Sequence, residues 1–157
     1  MITDTLLLPA SIKMKLPKTV EELIFEIYKS IDLIDKISDL RVRQLSNVLP
    51  NVPDDVIIEG VIQIFESSDR TNTIFTDQKV TGGIILDRNP KTSLNAESLI
   101  TRVINNWDKS IWELPFWFRN NYGTELLKQT FEQMELNESS EIKLDKIKTM
   151  RYFLNMK

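Results

Sequence analysis

The chain has 157 residues, of which 41% are hydrophobic and 27% charged, with a net charge of −3. That composition fits one domain with a real core and excludes disordered, collagen-like and low-complexity classes. The absence of both cysteine and histidine removes disulfides, thiolate nucleophiles, zinc fingers, iron–sulfur clusters and every Ser-His or Cys-His device.

Residues 1–18 read as an extended N-terminal arm: leucines 6–8, Pro9, then Ile12, Met14 and Leu16 alternating with Lys13 and Lys15. Period-two alternation suits an edge strand or a strap over the body. The opening residues have no basic n-region and only a stub of an apolar run, so no signal peptide is expected, and no stretch reaches the ~20 apolar residues of a membrane span. A cytoplasmic location is the expectation.

The remainder, 19–157, reads as a single helical domain. Thr19 and Glu22 form a capping box. Behind it Leu23, Ile24, Ile27, Ile31 and Ile34 recur at three- and four-residue steps, predicting an amphipathic helix over 19–36. Ser38 opens a second helix that ends at Pro50. Pro53 with Asp54 and Asp55 opens a third, which carries the apolar run to Phe65.

Residues 74–87 admit two readings, a helix starting near Thr76 or a short β-hairpin turning at Gly82-Gly83. Ser93 or Asn95 starts the next helix, through Trp107. A turn over 108–113 leads to a short helix beginning at Pro115 and ending at Gly123. Thr124 caps a helix to Met134, and a last helix carries Leu144, Ile147, Met150 and Leu154.

The fold class is therefore all-α. Short connections are those of antiparallel helix pairs, either a short α-solenoid of the HEAT or armadillo kind or an irregular helical bundle. No repeat stands out at the ~40-residue period of such solenoids.

Trp107, Trp112, Phe116, Trp117, Phe118 and Tyr122 place all three tryptophans in one short window. Large rigid aromatics concentrate at binding hot spots. Consecutive helical side chains point ~100° apart, so Phe116, Trp117 and Phe118 cannot share one core. Arg119, which can pair bidentately and stack on rings, joins them as the candidate partner-binding patch.

Carboxylates offer less. Asp54, Asp55 and Glu59 share one helix start, and Glu132 and Glu135 share one helix face, whereas glycosidase-type pairs oppose each other across a cleft. The segment from Asp69 to Thr73 lacks the second acid and the glycine of a calcium loop. No phosphate-binding glycine loop is present, and no cofactor or metal is expected.

These features predict a non-catalytic protein–protein interaction domain: an adaptor, inhibitor or immunity-type neutraliser of another protein, one of basic character given the chain's own acidity. The alternatives are a carboxylate-based enzyme, and a weak nucleic-acid binder using the basic C-terminal helix with Lys143, Lys146, Lys148, Arg151 and Lys157.

Overall fold

The structure, a computed structural model, describes residues 14–156. It contains nine α-helices: α1 (Val20–Asp32), α2 (Ile34–Ile37), α3 (Leu40–Val48), α4 (Asp54–Glu66), α5 (Ile74–Arg88), α6 (Ala96–Ile104), α7 (Glu113–Tyr122), α8 (Thr124–Asn137) and α9 (Glu141–Phe153). Among the described residues there is no strand, so the all-α reading holds and residues 74–87 form helix α5 rather than a hairpin. Both glycines lie inside α5, and the left-handed residue that ends it is Asn89. Of the expected arm, residues 1–13 lie outside the described residues. Residues 14–18 carry no regular structure, and Met14 and Leu16 pack against the body.

Side-chain caps set three of the helix starts. Thr19 Oγ1 accepts from the Glu22 amide at 3.1 Å, and the Glu22 carboxylate accepts from the Lys18 amide at 2.8 Å, one residue outside the usual reciprocal box. Asn95 and Ser140 cap α6 and α9 in the same way. In the predicted turn over 108–113, the Ser110 amide and hydroxyl both donate to the Asp108 carboxylate. Helix α7 starts at Glu113, two residues before the predicted start. Pro115 is tolerated because the first helical amides have no intrahelical acceptor to lose.

Helix α4 is the centre. Ile57, Ile58, Val61, Ile62, Ile64 and Phe65 are buried over most of its circumference, and α1, α5 and α6 pack around it. At Gly60 an added Cβ would stand 2.9 Å from Leu23 Cδ2, so the glycine sets how closely α1 approaches. Helices α7, α8 and α9 extend the same core through Trp117, Phe118, Leu127, Phe131, Ile147 and Met150. The most extensive helix contact joins α5 to α7, across the intervening α6. The contacts between helices adjacent in sequence and between those one helix apart are consistent with a helical bundle.

Arginines tie the helices at their joints. Arg41 reaches Glu26 between α3 and α1. Arg70 lies over Tyr28 and holds Asp32 and the nearly buried Asp77. Arg88 donates to the Leu49 and Val52 carbonyls and to Asp54. Arg102 spans Glu59 and Glu66 along the polar stripe of α4, and Arg151 binds Glu132 and Glu135.

Two predictions follow from this packing. Trp117 is fully buried, with its indole N–H donating to the Pro90 carbonyl at 2.9 Å. Trp117→Ala is therefore expected to cost about 3–5 kcal/mol, a large share of the about 5–15 kcal/mol of a domain, read as a lower urea midpoint. The second concerns pH. Hydrogen bonds from Arg70 hold Asp32 below its ordinary 3.8, the Lys91 amide and Arg88 do so for Asp54, and Arg102 and Gln63 hold Glu59 below 4.5. Depressed carboxylates contribute stability above their unfolded values and lose it as pH falls through the folded ones. Unfolding midpoints should be flat near neutrality and fall below about pH 4.5; a midpoint that rises on acidification would contradict the bridges.

Candidate protein-binding face

The six aromatics separate into two groups. Trp107, Trp117 and Phe118 are 0% exposed and belong to the core, which corrects the expectation that they form a docking patch. Burial of Trp107 is completed by its indole donating to the Ile111 carbonyl and by the edge of Phe153. Tyr122 is a brace: its hydroxyl donates to the Leu94 carbonyl at 2.7 Å, and burial pushes it up to about 12. Trp112, 40% exposed, Phe116, half-buried, and Arg119 remain on the surface. The consecutive aromatics thus divide as helical geometry requires, two inward and one outward.

Helix α7 is clamped along its length. The buried Gln78 of α5 donates to the Asn106 carbonyl and accepts from the Asp108 amide, each at 2.7 Å, fixing the loop that delivers Trp112. Farther along, Asn121 exchanges two hydrogen bonds with the Thr92 backbone. Near one end of the pair Lys79 meets Glu113, while near the other the segment after α5 meets Trp117 and Asn121. The cross-links advance in step, so α5 and α7 run side by side in the same direction.

Gly82 permits this closeness. A Cβ there would stand 3.1 Å from Glu113 Cβ and 3.2 Å from Ile111 Cγ2. One face of the pair carries Phe75 (50% exposed), Lys79 and Gly83 from α5, at four-residue steps. Trp112, the residue that precedes α7, and Phe116 and Arg119 from α7 itself complete it. Lys79 Nζ lies 5.1 Å from the Trp112 ring and 2.6 Å from Glu113 Oε2. Trp112 meets Phe116 edge-on at 5.4 Å, and the Arg119 guanidinium lies 4.6 Å from the Phe116 centroid. These are aromatic and cation–π contacts of the ordinary stabilising kind.

Arg119 stands apart from the other arginines. Of seven in the chain, five bridge helices and Arg43 pairs with Asp39 within one turn. Among the described residues Arg119 alone meets no carboxylate. The sequence reading missed Phe75, Lys79 and Gly83, which share a face only once 74–88 is a helix. The double glycine was the available signal.

The remaining candidates have structural partners. Asp54, Glu59, Glu132 and Glu135 are acceptors for arginines, and Arg70 of the Asp69–Thr73 segment is a helix tie. In the basic C-terminal helix, Arg151 holds Glu132 and Glu135 while Lys146 donates to the Asn105 carbonyl. Among the described residues no three Asp or Glu side chains gather as a metal site. Comparison with family models, curated proteins and solved structures returns no match to the chain.

Substitutions should separate this face from the core. Trp112→Ala removes one edge contact and one cation–π contact, about 1 kcal/mol, and should lower the thermal midpoint by about 2–4 °C. Gly83→Ala should raise it by a similar amount, since alanine is favoured by about 1 kcal/mol inside a helix and its Cβ meets nothing within 4 Å. Gly82→Leu should lower it by prying α5 from α7. Differential scanning calorimetry reads all three.

Proposed function

We propose that this chain is a non-catalytic protein-binding domain, an adaptor or inhibitor, that docks a partner through the α5–α7 face. One observation carries the reading: Arg119, which meets no carboxylate among the described residues, lies over the partly buried Phe116 that the exposed Trp112 meets edge-on. Half-exposed aromatics bordered by arginine are the composition of binding hot spots. Arg119, which meets no carboxylate among the described residues, favours an acidic group on the docking segment, whatever the sign of the chain's total charge.

The alternatives draw less support. The carboxylates with shifted acidity, Asp32, Asp54 and Glu59, are all held low by donors rather than raised for proton transfer. Two of the basic residues of the C-terminal helix are engaged internally.

The test is affinity capture from the native cell with the wild-type chain and Trp112→Ala at equal loading. A specific protein retained by wild type should fall by about tenfold or more with the variant, as for a hot-spot tryptophan, while circular dichroism stays unchanged. Retention of the same proteins by both chains would overturn the assignment of this face.

A further inference from the structure

We infer that the occupant of the α5–α7 face is an amphipathic helix of a partner protein, laid against Gly83 and offering an Asp or Glu carboxylate to Arg119. This rests on the protein-binding reading and adds the shape and charge of what binds.

Gly83 supplies the first argument. It lies well inside the 15-residue helix α5, where glycine is disfavoured relative to alanine. Gly82 has an internal reason, the nearby Glu113 and Ile111; Gly83 has none. Its φ is not positive, and nothing lies within 4 Å of where its Cβ would stand. A small residue that the free chain does not need, on the face that carries Lys79 and Phe75, allows close approach from outside.

Backbone chemistry supplies the second. An extended peptide is recognised along its main chain only where an open sheet edge offers unpaired amides and carbonyls. Helices α5 and α7 use their interior backbone groups themselves and offer no main-chain pairing, a surface suited to a segment whose own backbone is satisfied, a helix laid along it. Trp112 to Arg119 spans about 10 Å at 1.5 Å per residue, two turns of such a ligand.

Charge supplies the third. The guanidinium of Arg119 lies over the Phe116 ring, 4.6 Å from its centroid, and makes no hydrogen bond or ion pair among the described residues. Its N–H fork is left for a carboxylate, which arginine grips bidentately. Lys79 is already committed to Glu113, so the face calls for one well-placed acid rather than a highly acidic ligand.

The experiment selects a phage library built on a single-helix scaffold with randomised outward positions against the immobilised full chain. The best clone is then made as a synthetic peptide and titrated calorimetrically. Enriched clones should carry apolar residues at i and i+4 with Asp or Glu one turn beyond, and the peptide should gain helicity on binding. Gly83→Leu and Arg119→Glu should each weaken it by about tenfold or more, and Arg119→Glu should regain binding to a peptide whose acid is exchanged for arginine. Gly83→Ala, which favours the fold, should weaken binding less than Gly83→Leu.

The proposal is overturned by an absence of enriched clones, by clones without an acid, or by affinity indifferent to Gly83→Leu and Arg119→Glu. It is also overturned if light scattering finds a dimer that these substitutions dissolve, which would make a second copy of the chain the occupant. If native capture is lost with Trp112→Ala yet kept with Gly83→Leu and Arg119→Glu, the helix assignment fails and the protein-binding reading stands. If Trp112→Ala has no effect, both fail.

Discussion

Helix α4 is apolar around so much of its circumference that it can exist only inside the molecule. Everything else is arranged to cover it: α1 closes over Gly60, α5 and α6 take the flanks, and the stripe with Glu59, Gln63 and Glu66 is roofed by Arg102. The polar stripe explains how an otherwise greasy helix keeps a defined rotation. An arginine lying across two carboxylates about two turns apart fits only one azimuth of α4 relative to α6.

The same device recurs at other joints. Most of these pairs are partly exposed, and each contributes modestly once solvent screening is counted. Their value is geometric, because bidentate guanidinium contacts fix orientation where apolar packing tolerates sliding. Arg70 shows this best, gripping the end of α1 and the start of α5 while lying flat on Tyr28. Against that background an arginine with no acid is a chemical anomaly, and its position beside the outward aromatics gives the surface its interest.

Much of the fold was legible in the sequence. Thr19 and Asn95 mark helix starts by cap chemistry, and the apolar spacing of α1 and α6 marks their buried faces. The segment 74–88 was not legible, because paired glycines carry the same local signal in a hairpin turn as in a helix that another helix must approach closely. Only the distance between Gly82 and Glu113 decides it. The site was half legible for a related reason. Periodicity requires one of Phe116, Trp117 and Phe118 to face outward, yet which tryptophans are buried depends on acceptors such as the Pro90 and Ile111 carbonyls. Those acceptors lie in other segments or follow from loop geometry, which spacing does not reveal.

The parallel course of α5 and α7 has a consequence for how the surface comes into being. Two adjacent helices pointing the same way cannot be joined by a tight turn; here the chain passes through α6 before returning. Their meeting therefore depends on sequence-distant contacts, whose closure entropy is met only once intervening elements have docked. Neither helix presents the surface by itself. On the proposed reading, a partner that docks there would meet the surface only on mature molecules, not on nascent or partly opened ones, so binding would also sense completed assembly.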